Sequence, residues 1–174
     1  MEQSEFIKLY DKNVAAIFRY IFLRVNSKET AQDLTSEVFL RAWHFTTTNN
    51  REVSVDLNNP KAFFYKIARN LVMDFYRRKS RTEISLEDIT IQLSDPEDDP
   101  TEKISLEMEL ETIKRTLMGV KDDLAEVIIW HYLDELTIPE IAGILGKSEG
   151  AVRVMLSRGL TKVRSLLVRG QSSN

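Results

Sequence analysis

Two groups of side chains in this sequence have the types and spacing to hold a polyanion. Lys66, Arg69, Asn70, Met73, Tyr76 and Arg77 recur at three- and four-residue steps, which a helix gathers onto one face. Arg153, Val154, Ser157, Arg158 and Lys162 fall in the same way on another helical face near the C-terminus. The chemistry of both groups is recognition. Cations follow phosphates, and a ring such as Tyr76 or Tyr65 stacks on an unpaired base, so the first group suits a partly single-stranded nucleic acid. In the second, Arg153 and Val154 stand near a helix start, where side chains reach base edges, while Ser157, Arg158 and Lys162 suit phosphates. The bland alternative for either is a solvated helix face.

Charge is sorted by segment in a way that favours the first reading. Pro60 to Arg81 holds seven Lys/Arg against one acid, Asp74, and Lys147 to Gly170 holds six against one, Glu149. Residues 1–81 carry 14 Lys/Arg and 9 Asp/Glu, residues 82–112 carry 1 and 11, and residues 113–174 carry 9 and 7. The net charge of −3 therefore hides two basic modules separated by an acidic stretch.

The elements that must position these groups are all helical. Phe6, Leu9, Tyr10, Val14, Ile17, Phe18, Ile21 and Phe22 keep the helical period from about Ser4, a plausible cap, to Val25. A second helix is expected over about 28–45, with Ala31, Leu34, Val38, Ala42 and Phe45 as its stripe and Phe39 and Trp43 at the edge. Residues 46–59 read as a loop. A third helix starts at Pro60, capped by Asn59, and runs to about Lys79. Its core side is Phe63, Phe64, Ile67, Ala68, Leu71, Val72 and Phe75. Beyond it, Asp95-Pro96-Glu97-Asp98-Asp99-Pro100 is too polar to build a core and reads as a linker.

Helical pattern resumes over about 101–117, then 122–133, 138–145 and 149–167. Thr137-Ile138-Pro139-Glu140 fits a capping box, Gly146 suits a left-handed helix end, and Ser148 caps the next helix. Two helices joined by Gly146-Lys147-Ser148 match a helix-turn-helix, whose second helix enters the major groove. Projection turns Val152, Met155, Leu156, Gly159 and Val163 inward. The expected architecture is all-α: two small helical domains, residues 4–80 and 106–170, joined by an acidic flexible linker over 81–105. The acidic stretch is expected to compete with phosphate for the two basic surfaces.

Other classes find less support. The chain has no cysteine, and its two histidines, His44 and His131, lie far apart in sequence. No nucleophile–base pair or phosphate-cradling glycine loop stands out, so neither an enzyme nor a bound cofactor or metal is expected. No apolar run approaches the roughly 20 residues of a membrane span, and the acidic start lacks a signal pattern, which places the chain in the cytoplasm. On the second helix Asp33, Glu37 and Arg41 share a surface beside Phe39 and Trp43. That set is either intrahelical pairing or an aromatic-anchored protein-docking face. A helix-turn-helix repressor or activator, dimeric through its N-terminal helices, is the competing reading for the whole chain.

Three stretches in order resemble one known family. Ala31 through Trp43 (AQDLTSEVFLRAW) resembles the region 2.2 helix of bacterial sigma factors. Phe63 through Arg78 (FFYKIARNLVMDFYRR) resembles regions 2.3–2.4, and Leu136 through Arg164 resembles region 4.2. Order, spacing and length are similar to the extracytoplasmic-function group of the sigma-70 family, across about residues 5–80 and 108–168. The resemblance implies a transcription initiation factor. Asp33, Glu37, Phe39, Arg41 and Trp43 would bind the polymerase β′ coiled coil, and the second domain the β flap. The helix at 60–79 and the loop at 46–59 would recognise and open the −10 element, through Lys66, Arg69, Asn70, Met73, Tyr76 and Arg77. Arg153, Val154, Ser157, Arg158 and Lys162 would read the −35 element as duplex. An anti-sigma factor is the implied regulatory partner.

Overall fold

In a computed structural model of the chain, residues 2–25, 27–47, 59–81 and 111–171 are described, and every regular element among them is a helix. They are α1 (Gln3–Arg24), α2 (Lys28–Thr47), α3 (Pro60–Arg81), α4 (helical over 111–118), α5 (Asp122–Ile128, continued by a π-helical turn over Ile129–Leu133), α6 (Ile138–Leu145) and α7 (Glu149–Gln171). The chain divides into two compact units, one containing α1–α3 and the other most of the C-terminal helices. The expected loop is described only at Thr46, Thr47 and Asn59, and the acidic linker lies outside the described residues apart from Arg81, which is helical.

The first unit is a three-helix bundle whose seam is aromatic. Ile17, Tyr20 and Ile21 of α1, Ala31, Val38, Phe39 and Ala42 of α2, and Phe64, Tyr65, Ala68 and Val72 of α3 are all buried. Burying one such large apolar side chain contributes roughly 1.5–3 kcal/mol, enough for three helices that would not persist alone. The Phe39 ring lies 4.9 Å from Phe64 and 4.7 Å from Tyr10, so α2 is gripped from both sides.

Local signals start the three helices of the first unit. The Glu2 backbone N–H donates to the Glu5 carboxylate, so Glu2 rather than Ser4 begins α1. The Ser27 hydroxyl accepts from the Thr30 N–H, and Asn59 Oδ1 from the Ala62 N–H, as N-caps do. α2 runs two residues past Phe45, because Thr46 and Thr47 bond back to the Trp43 carbonyl instead of entering a loop.

In the second unit Trp130, Ile129, Leu136, Ile141 and Val152 are fully or almost fully buried. The helical period of α5 widens at Ile129. The Asp134 N–H reaches the Ile129 carbonyl at 3.0 Å, and the Leu136 N–H the Trp130 carbonyl at 2.8 Å. The single helix expected over 122–133 therefore ends in a π turn, with Glu135 in a left-handed conformation (φ 56°) that redirects the chain into α6.

Candidate nucleic-acid interface

The face of α3 opposite its core carries the first group of side chains. Phe64, Ala68, Leu71 and Val72 point inward, while Lys66, Asn70, Met73, Tyr76 and Arg77 are exposed and Arg69 is half-buried. Tyr65 does not join them. It is 0% exposed and edge-on to Tyr20, with centroids 5.7 Å apart, so it cannot offer a ring face to a base. Its position next to Phe64 turns it into the core, and a lone tyrosine in the sequence carries no mark of that.

Tyr76 keeps the expected exposure, 38%, yet its hydroxyl donates to the Arg24 carbonyl at the end of α1. This bond caps α1 with a side chain from α3 and fixes the ring, which lies edge-on to Phe75. The lone acid Asp74 pairs with Arg77 at 3.1 Å. Both partners are well exposed, so the pair is worth about 0–1 kcal/mol and leaves Arg77 free to exchange onto a phosphate.

The second group is set by the turn between α6 and α7. The Thr137 N–H donates to the Glu140 carboxylate at 2.8 Å, and the Thr137 hydroxyl faces the Glu140 N–H at 3.4 Å, a reciprocal cap. Gly146 has φ +62°, a conformation that lets the Lys147 N–H close on the Ala142 carbonyl at 3.0 Å. The Ser148 hydroxyl then accepts from the Ala151 N–H and begins α7.

From there the projection holds. Val152, Leu156 and Gly159 are buried, Met155 and Val163 half-buried, and Arg153, Val154, Ser157, Arg158 and Lys162 exposed. Gly159 is needed for close approach: a Cβ there would lie 2.8 Å from Ile128 Cδ1 and 3.3 Å from the Leu124 carbonyl oxygen. That contact seats α7 against α5 and leaves its basic side outward. An acid also joins this face. Glu149, in the first turn, holds Arg153 Nη2 at 2.9 Å.

On α2 the expected docking set divides. Asp33 and Arg41 are exposed, and Glu37 is half-buried with its carboxylate 2.6 Å from Arg41 Nε. Phe39 is the correction: at 4% exposure it belongs to the bundle seam and is no exposed anchor. Trp43 is half-buried against Phe6, centroids 5.0 Å apart. The surface aromatic and apolar residues there are Tyr10 and Leu40, which with Phe6, Phe39 and Trp43 line an open groove between α1 and α2. In the sequence Phe6 and Tyr10 stand among the apolar positions that keep the helical period of α1, with no mark that separates them from its buried residues.

Among the described residues no three His, Cys, Asp or Glu side chains converge as a metal requires. His131 Nδ1 lies 2.9 Å from the Leu136 carbonyl, a packing role beside buried Trp130, and His44 is exposed. Lys114 on α4 is 3% exposed, and burial lowers its pKa below the ordinary lysine range, partly offset by Glu111. Among the described residues no helix is long and apolar enough to cross a membrane.

Comparison with known proteins agrees with this layout. Residues 9–82 match the family described as Sigma-70 region 2, and residues 110–163 that described as Sigma-70, region 4. The ECF RNA polymerase sigma factor BldN of Streptomyces coelicolor is 32% identical over 171 residues, covering 95% of this chain and 61% of that protein. The chain thus spans less than two thirds of BldN's length. RNA polymerase sigma factor YlaC of Bacillus subtilis is 28% identical over 166 residues, covering 94% of this chain and 92% of that one. Among solved structures, the sigma factor RpoE in complex with the anti-sigma factor NepR from Bartonella quintana has a TM-score of 0.70 at 20% identity, covering 94% of this chain and 96% of that one. That likeness speaks for the fold.

Proposed function

The chain belongs to the extracytoplasmic-function group of the sigma-70 family, and from that premise we propose that it binds core RNA polymerase and directs initiation at promoters bearing −10 and −35 elements. The relatives bear sigma-factor names, which gives a dimeric repressor or activator no support. The single observation that carries the reading is the sidedness of α7. Val152, Leu156 and Gly159 are buried against its own unit, while Arg153, Val154, Ser157, Arg158 and Lys162 stand exposed on the other side.

In this reading Arg153 and Val154 meet base edges of the −35 duplex, and Ser157, Arg158 and Lys162 meet its phosphates. On α3, Lys66, Arg69, Asn70, Met73, Tyr76 and Arg77 engage the −10 element as it opens. The Tyr76 ring, tethered through its hydroxyl, is the stacking platform. Asp33, Glu37, Arg41 and Trp43 meet the polymerase β′ coiled coil, with Phe39 supporting that face from beneath, and the second unit meets the β flap. Melting DNA costs energy that polymerase contacts must offset, so the isolated chain binds promoters weakly. An anti-sigma factor completes the partner set; a structural neighbour is described in complex with one.

Run-off transcription with purified core polymerase and a genomic fragment pool tests this. Transcripts should start at a shared pair of elements, and Arg153→Ala should abolish dependence on the upstream one while polymerase association survives. Starts unchanged by adding the protein would refute the proposal.

A further inference from the structure

The recognition face of α7 contains one acid, and it is bonded to the residue best placed to read a base. Glu149 Oε2 accepts from Arg153 Nη2 at 2.9 Å, one helical turn away, with both side chains about half exposed. Resting on the duplex-reading role given to α7 above, we propose that Glu149 is a specificity-determining residue, positioning the Arg153 guanidinium for a base edge and withholding it from phosphates.

A carboxylate on a surface that meets a polyanion weakens binding to every sequence, because it repels phosphate oxygens wherever the helix lands. Helical side chains lean toward the N-terminus, so Arg153 naturally extends back over the first turn, where Glu149 sits. Their bond holds the guanidinium over the helix start, the end that enters a groove. A guanidinium has five N–H donors in a rigid fork. One is spent on Glu149, and enough remain for a bidentate bond to guanine N7 and O6, which neutral side chains of similar length cannot make. Without the carboxylate, the flexible arginine stem is free to swing to the nearest phosphate, a contact that carries no sequence information.

Glu149 also has its own base preference. Guanine N7 and O6 and thymine O4 repel a carboxylate, whereas the N4 amino group of cytosine donates to it. The pair therefore favours guanine under Arg153 and disfavours acceptor-only edges beside it. The bland role, an acid interacting with the start of its own helix, affects stability alike on all templates.

The test uses the full chain with core polymerase on a promoter and on every single-base variant of its −35 element, with wild type, Glu149→Gln, Arg153→Ala and the double variant. Expected for Glu149→Gln is tighter binding to nonspecific duplex, together with a loss of roughly threefold or more in discrimination at one or two adjacent base pairs. In the Arg153→Ala background the same change should cause no further loss of discrimination at the base pair read by Arg153. An equal loss on all templates, or an unchanged base profile, overturns the proposal. If instead wild-type output ignores every −35 substitution, the duplex-reading role of α7 itself fails, and the role of Glu149 falls with it.

Discussion

Alanine in place of either of two helical glycines looks equivalent in sequence, yet the structure assigns the two substitutions opposite signs. Gly143 lies in α6, and an added Cβ there meets nothing within 4 Å. Replacing it with alanine removes the backbone-entropy cost of glycine and should stabilise by about 0.5–1 kcal/mol. Gly159 gains the same helix propensity, but its new methyl would sit 2.8 Å from Ile128 Cδ1 and 3.3 Å from the Leu124 carbonyl oxygen. The isoleucine end can rotate away; the backbone oxygen can yield only by moving α5. Overpacking of this kind costs about 1–3 kcal/mol, so the net effect should be a loss of about 1 kcal/mol. For a domain of this size 1 kcal/mol moves the midpoint by about 4–8 °C, and the two variants should move in opposite directions. Thermal unfolding followed by tryptophan fluorescence in a Trp43→Phe background reads the second unit alone, through fully buried Trp130. A Gly159→Ala midpoint raised as much as that of Gly143→Ala would refute the close seating of α7 on α5.

Other outcomes follow from single contacts. Thr137→Ala should cost about 1 kcal/mol by removing the cap of α6, seen as an earlier midpoint in urea. Gly146→Ala should cost about 1 kcal/mol or more, since φ +62° is strained for any side chain, and a midpoint unchanged from wild type would contradict that turn. Lys114→Met should stabilise the fold most at neutral pH. Burial lowers the folded pKa of Lys114, so the unfolded chain binds more protons between the lowered and the ordinary value; wild-type stability recovers as pH rises through that window, and the advantage of Met should shrink. Paired urea titrations at neutral and alkaline pH would detect an advantage that fails to shrink. Tyr76→Phe should leave base stacking possible yet loosen the join of α3 to α1, giving faster amide exchange near Arg24 with modest change in promoter opening.

The extent to which the interface was legible in the chain follows from how local its causes are. Helix starts at Asn59, Thr137 and Ser148 and the stop at Gly146 rest on hydrogen bonds within a few residues, so their residue types announce them. The outward set on α7 was legible for the same reason: a single helix with a two-sided pattern has one way to face a core. Phe39 and Tyr65 were not legible. Phe39 stands at the edge of its stripe and Tyr65 outside the core stripe expected for α3, and the burial of each depends on rings brought from other helices, Tyr10 and Phe64 for the first and Tyr20 for the second.

What linear order alone settled is the helical class, the division into two basic modules with acid between them, and the turn that presents α7, because periodicity, caps and charge act over short stretches. Tertiary packing alone decided which aromatic side chains on α2 and α3 remain at the surface, the widened turn after Ile128, and the need for glycine at 159. Those outcomes depend on distances between elements far apart in the chain, where one ring or one backbone oxygen excludes another.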